Sequence, residues 1–179
     1  AMFVMTHDEI RKVLKQKKKF TYGNQVVDYR PQKEDPNRIR ITAGGNLVTY
    51  DSSPSVRTAD LDTAKLHWNS VISTPHAKYL CLDIKNFYLG TPLDRPEFIK
   101  IQLSVIPDEF VDEYNLTTLA YDGWVYFKIT KGVYGLKQSG KLANDLLIKC
   151  LNAAGYYQAT TMPGLWHHKW RSIMFYLII

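Results

Sequence analysis

The chain has 179 residues and a formal net charge of +6, and 45% of its residues are hydrophobic. A chain of this length and composition buries one sizeable core, which excludes a disordered protein. No apolar run is long enough to span a membrane, no apolar stretch with a small-residue cleavage site appears near residue 1, and the 2 cysteines lack zinc or disulfide spacing. These features predict an intracellular protein without a membrane partner.

Basic residues are concentrated near the N-terminus, where residues 8–19 predict a short basic helix. The segment starts with acidic residues and ends in lysines, the order that complements a helix dipole. Its lysines Lys17, Lys18 and Lys19 are candidate nucleic-acid contacts. A solvated helix end explains them almost as well.

The next segments predict a small basic β region, a helix and a strand. Residues 20–30 and 38–43 mix apolar and polar residues around turn signals, which favours strands. Residues 58–72 place apolar side chains at helical spacing, with Thr58 or Asp60 as the cap. The apolar run over 79–84 predicts a buried strand.

The second half of the chain continues with strands and one long helix. The predictions in chain order are a strand over 98–103, a short acidic helix or turn over 107–116, a strand over 124–129, a helix over 139–154 capped by Ser139 and stopped by Gly155, and a hairpin of 165–168 with 173–179. This order predicts an α+β fold, a mainly antiparallel sheet with packed helices. We expect a basic N-terminal region over 1–78 and a second region over 79–179, joined in one compact unit.

Asp83 stands at the end of the apolar run, where an ionised carboxylate needs a partner or a metal. Carboxylates at strand ends are well placed to hold Mg²⁺, which takes few protein ligands. Taken alone, Asp83 is better explained as the cap of the following turn.

Three blocks of sequence instead favour a catalytic role for Asp83. Asp83 to Tyr88, D-I-K-N-F-Y, resembles the first catalytic motif of reverse transcriptases, in which an Asp is followed five places on by Tyr or Phe. Residues 131–139, K-G-V-Y-G-L-K-Q-S, resemble the K-S-L-Y-G-L-K-Q-S signature of copia-type LTR retrotransposon polymerases. Residues 38–45, R-I-R-I-T-A-G-G, are similar to the K-A-R-L-V-A-x-G block of the fingers of that family. The blocks stand in the family's order and cover most of the chain, although Gly140 replaces a usual Pro.

The resemblance implies the fingers and partial palm of a right-hand polymerase that adds dNTPs by a two-metal mechanism on an RNA or DNA template with a primer. Asp83 and the Ile84 carbonyl would bind Mg²⁺ or Mn²⁺, and Tyr88 would be the gate that selects deoxynucleotides. The nucleotide would contact Arg38, Arg40, Tyr134, Gly135 and Lys137, and the nucleic acid would contact Gln138 and Ser139. A solvated edge strand explains the two arginines equally well. The implied location is the cytoplasm, including virus-like particles, or the nucleus.

In this family an Asp-Asp pair follows the second block and completes the metal site, whereas this sequence stops at F-Y-L-I-I. We therefore expect negligible polymerase activity from this chain alone. Two alternatives stay open. One is a non-catalytic nucleic-acid-binding remnant, and the other is a protein-interaction module whose open sheet edge recruits another chain, including a homodimer through the exposed terminal strand.

Overall fold

The computed structural model describes residues 2–34 and 36–178. Its strands are β1 (Met2–Val4), β2 (Thr21–Tyr29), β3 (Asn37–Ala43), β4 (Pro92–Gln102), β5 (Trp124–Lys131), β6 (Tyr156–Gln158), β7 (Leu165–His168) and β8 (Met174–Tyr176). Its helices are α1 (His7–Lys15), α2 (Leu61–Ser73), α3 (Asp108–Glu113), α4 (Leu116–Leu119) and α5 (Ser139–Ala153).

The strands form a five-stranded sheet in the order β1-β5-β4-β2-β3 and a three-stranded sheet in the order β6-β7-β8. All pairings are antiparallel except the short parallel pairing of β2 with β4. The prediction of an α+β fold with a mainly antiparallel sheet is therefore confirmed. The larger sheet takes strands from both of the regions expected from the sequence.

The two faces of the larger sheet carry separate apolar clusters. On one face, Ile99, Val125 and Ile129 are fully buried beneath the segments that follow β3 and β5. On the other face, α1 packs against Phe98 and Tyr126. Because neighbouring residues of a strand point to opposite faces, β4 and β5 supply side chains to both clusters. Burial of each large aliphatic side chain stabilises the fold by roughly 1.5–3 kcal/mol.

Helix α1 begins with a capping box. The Thr6 hydroxyl accepts a hydrogen bond from the Glu9 backbone N–H, and the Glu9 carboxylate accepts one from the Thr6 backbone N–H at 2.8 Å. The helix ends at Lys15, earlier than predicted, and Lys17 has a positive φ of 55°. The prediction that the helix reaches Lys19 was wrong, because a left-handed residue cannot continue an α-helix.

Helix α2 confirms one prediction and corrects another. Asp60 is its N-cap and accepts a hydrogen bond from the Thr63 backbone N–H at 2.8 Å. The helix buries Thr63 and His67, while its large apolar residues Leu61, Leu66, Trp68 and Ile72 are exposed. Periodicity located the helix correctly, but it did not identify the packed face.

The prediction of a buried strand over 79–84 was wrong. The segment has no regular structure, and Leu80 and Leu82 are 76% and 79% exposed. Within residues 2–34 and 36–178, the backbone of 78–84 makes no hydrogen bond. An apolar run becomes a buried strand only where a neighbouring strand pairs with it, and none of the described strands lies alongside this one.

The C-terminal elements agree with the sequence except in detail. Gly155 stops α5 with a φ of +89°, and β7 pairs with β8 as the predicted hairpin. Ser139 is the first residue of α5, and Gln138 occupies the cap position. The second hairpin strand is shorter than predicted, β6 adds a third strand, and Ile179 lies outside the described residues.

Candidate functional site

Three segments that are distant in sequence come into contact near the apolar cluster that contains Ile99. The Ala43 N–H, at the end of β3, donates a hydrogen bond to the Tyr134 carbonyl at 2.7 Å. The Gly132 N–H donates to the Thr91 carbonyl at 2.8 Å, and the Thr91 N–H donates to the Tyr88 carbonyl at 3.1 Å. The ends of all three sequence blocks therefore lie side by side.

Glycines allow this close approach. Gly135 has a φ of +91°, and a Cβ at this position would collide with the Ala43 carbonyl group. A Cβ on Gly45 would collide with the Gly135 carbonyl oxygen. The two loops are therefore in backbone contact, which a larger residue at either position would prevent.

A cation and two aromatic rings line the junction of the loops. The Arg40 guanidinium carbon lies 5.9 Å from the centroid of the Tyr134 ring. Tyr134 in turn packs edge-to-face against Tyr88, with ring centroids 5.4 Å apart. All three side chains are half-buried, so one surface of each stays accessible. The predicted nucleotide contacts Arg40, Tyr134 and Tyr88 are thus brought together.

The other predicted nucleotide contacts lie around this group. Arg38 is half-buried and stands two residues before Arg40 on the same face of β3. Gly135 and Lys137 are exposed, and Lys137 is a near neighbour of Gly45.

Asp28 and Arg30 belong to this site, although no motif named them. The Arg30 Nη2 lies 2.6 Å from the Asp28 carboxylate, and the Arg40 Nη2 lies 3.2 Å from the same carboxylate. The hydrogen bond from Arg30, followed by the charges of both arginines, holds the pKa of Asp28 below its ordinary value. The D-Y-R spacing is a signal that the sequence offered, because residues two apart on a strand share a face.

Gln138 and Ser139 are buried rather than exposed to a nucleic acid. The Gln138 side-chain amide donates to Glu97 at 3.0 Å. The Ser139 hydroxyl donates to the Val133 carbonyl at 3.0 Å and accepts from the Val133 N–H at 3.1 Å. Both residues fix the loop that carries Tyr134 and Gly135, and their contact with nucleic acid stays a prediction.

Asp83 and Ile84 are exposed in the irregular segment before the turn that holds Tyr88. Two divalent ions require several oxygen ligands, mostly carboxylates. The described part of the chain has no group of three or more His, Cys, Asp or Glu residues that could hold a metal ion. The residues around Asp83 therefore do not fit a Mg²⁺ or Mn²⁺ pair without further carboxylates.

The lysine run lies beside the apolar cluster beneath α1. Lys18 places its ammonium group 5.6 Å from the Phe98 ring centroid, and Phe98 belongs to the cluster beneath α1. Ile99, the next residue, points to the other face and packs with Ala43 and Leu136. Lys17, Lys18 and Lys19 are exposed, and their contact with nucleic acid stays a prediction.

Comparison of the chain with protein-family models, with curated proteins and with solved structures finds no match. Among the described residues, no helix combines the length and the apolar character that crossing a membrane requires.

Proposed function

We propose that the chain is the fingers and part of the palm of an RNA-directed DNA polymerase of the copia type, which places an incoming dNTP at Arg40, Tyr134 and Tyr88. The observation that carries this proposal is the convergence of the three sequence blocks that resemble that family. Their contact through Ala43, Tyr134 and Tyr88 is an observation separate from the resemblance, because 37 and 42 residues lie between consecutive blocks.

The chemistry of the converging residues suits a nucleoside triphosphate. Arg38 and Arg40 supply guanidinium groups, whose planar donors match phosphate oxygens. Tyr134 and Tyr88 present aromatic surface to a sugar or base, and Tyr88 is the residue that would exclude a ribose 2′-hydroxyl. Gly135 leaves room for a ligand next to the backbone. Metal binding would need carboxylates in addition to Asp83.

The proposal is tested by equilibrium binding of a fluorescent RNA template annealed to a DNA primer, measured by anisotropy. We expect the chain to bind this duplex with an affinity that falls steeply as salt rises, because contacts with phosphates release counterions. The complementary dNTP should tighten the complex more than the matching rNTP. Tyr88→Ala should abolish that difference, and Tyr157→Ala, which alters a tyrosine on the smaller sheet, should preserve it.

The outcomes of this binding experiment distinguish a polymerase from a non-catalytic nucleic-acid-binding remnant. Duplex binding that responds to the dNTP supports the proposal. Duplex binding that is salt-sensitive but indifferent to nucleotides and to Tyr88→Ala supports a non-catalytic nucleic-acid-binding protein. Absence of duplex binding at low salt overturns both.

A second candidate function, protein interaction, rests on exposed apolar surface. Trp68 and Ile72 of α2 and the nearby segment with Leu80 and Leu82 are exposed, and Trp68 stacks on Tyr79 with ring centroids 4.3 Å apart. Exposed apolar side chains of this size favour association. Size-exclusion chromatography would then show a dimer that Leu80→Ser with Leu82→Ser converts to monomer, whereas a monomeric parent chain excludes this self-association.

A further inference from the structure

Towards its tip, the hairpin of β2 and β3 exposes apolar side chains on one face and leaves charged side chains half-buried on the other, beside the exposed Val26. Val27 and Ile39 pair across the hairpin and are 71% and 63% exposed. The opposite face carries Asp28 and Arg40, whose side chains are only 33% and 29% exposed, together with Arg38. This is the reverse of an ordinary surface hairpin, in which charged side chains face water.

Asp28 holds two arginines through a single oxygen. The Arg30 Nε donates to Asp28 Oδ2 at 2.7 Å, and the Arg40 Nη2 donates to the same oxygen at 3.2 Å. Guanidinium groups bind oxyanions best through two parallel hydrogen bonds to two oxygens. Asp28 does not provide this arrangement for Arg40.

Arg40 and Arg38 consequently keep donors that have no partner. The Arg40 Nε is buried and has no hydrogen-bond partner in the part of the chain that the structure describes. A buried donor without a hydrogen-bond partner destabilises the fold. Across the same described residues, the Arg38 side chain makes no hydrogen bond and no ion pair, although it is half-buried. Among residues 2–34 and 36–178, this face therefore holds one carboxylate, Asp28, beside three arginines.

We propose that Arg30, Arg38 and Arg40 form a polyphosphate site in which Asp28 occupies the place of a phosphate group until the ligand displaces it. A phosphate that replaces Asp28 offers two oxygens to the Nε and Nη2 of Arg40. Asp28 is then a positioning residue that keeps the arginines aligned in the empty site and disfavours weak anions. That the ligand is a nucleotide rests on the proposed function, whereas the binding of a polyphosphate anion by the three arginines does not.

The test uses inorganic tripolyphosphate and inorganic phosphate, with affinities measured by calorimetry at constant ionic strength and neutral pH. Asp28→Asn removes the competing charge with little change in shape, and we expect it to tighten tripolyphosphate binding at least about fivefold, which corresponds to about 1 kcal/mol. Asp145→Asn is the matched control, because Asp145 is also a half-exposed carboxylate in an ion pair, with Lys141 on α5. Because Asp145 is distant from the three arginines, Asp145→Asn should leave the tripolyphosphate affinity within about twofold of that of the parent chain.

A second measurement needs no variant. In the parent chain, the Arg40 Nε–H signal in a nitrogen-15 NMR spectrum should shift on addition of tripolyphosphate and less on addition of phosphate. If Asp28→Asn binds tripolyphosphate no tighter than Asp145→Asn does, or if tripolyphosphate binds without moving the Arg40 signal, the inference is overturned. Tripolyphosphate binding that follows these expectations without any duplex binding would uphold this site and reject the polymerase.

Discussion

Arg40 of β3 lies over the ring of Tyr134, a residue of the loop that follows β5, with 5.9 Å between the guanidinium carbon and the ring centroid. The contact joins residues 38–45 to residues 131–139, two of the three blocks that resemble copia-type polymerases. The Tyr134 carbonyl also accepts a hydrogen bond from the Ala43 N–H on the same strand, so ring and backbone both link the two segments.

Removal of the Tyr134 ring should weaken anion binding at Arg40. Tyr134→Leu keeps apolar bulk but removes a cation–π contact that is worth about 0.5–1 kcal/mol at an accessible site. We therefore expect tripolyphosphate affinity to fall roughly two- to fivefold in calorimetry. Tyr157→Leu, on the smaller sheet, should not change it, and equal affinities for the two variants would contradict a role for the Tyr134 ring.

Gly135→Ala should destabilise the fold far more than Gly90→Ala. At Gly135 the backbone has a positive φ and a Cβ would collide with the Ala43 carbonyl, whereas a Cβ at Gly90 meets nothing within 4 Å. A strained backbone conformation costs on the order of 1–3 kcal/mol, and the collision adds to it. An unstrained surface substitution such as Gly90→Ala stays within about 0.5 kcal/mol. Urea unfolding of the two variants measures both values, and similar stabilities would disprove the backbone contact between the loops.

The capping box of α1 should make stability depend on pH. The hydrogen bonds from the Thr6 backbone N–H and hydroxyl lower the pKa of Glu9 below its ordinary value. A carboxyl group whose pKa is lower in the folded state stabilises that state above its unfolded pKa. This stabilisation is lost as the pH falls through the folded pKa.

Glu9→Gln should therefore reduce the free energy of unfolding by about 0.3–1 kcal/mol at neutral pH, the range for a carboxylate near a helix N-terminus. The difference from the parent chain should shrink toward zero as the pH falls below about 4.3, the ordinary glutamate pKa. Glu34→Gln, at an exposed position, is the control. A difference that is the same at acidic and neutral pH would argue against an ionised Glu9 in the cap.

The purified chain should not extend a primer. Asp83 stands apart from any group of metal-binding residues in the described part of the chain, and a two-metal reaction requires several carboxylates. In a gel-based assay with Mg²⁺ or Mn²⁺ and all four dNTPs, we expect product no greater than with Asp83→Asn. Robust synthesis by the parent chain that Asp83→Asn abolishes would contradict this expectation.

The segment around Asp83 shows where a prediction from sequence patterns failed. The apolar run over 79–84 predicts a buried strand that ends at the candidate metal ligand Asp83, whereas the structure leaves this segment exposed and, among the described residues, without strand hydrogen bonds. Whether an apolar run forms a strand depends on a neighbouring strand, which is a property of the whole sheet. Tyr88, five residues later, nevertheless packs against Tyr134, as a shared site requires.

Local patterns determined much of the chain. The alternation in β3, a cap for α2 at Thr58 or Asp60 and the glycine stop at Gly155 depend on neighbours within a few residues, so the sequence alone predicted them. Tertiary structure decided which face of α2 is buried, that Gln138 and Ser139 turn inward, and that Asp28 joins Arg30 to Arg40. These outcomes depend on partners that are distant along the chain or on a strand register, and periodicity within one segment carries no information about either.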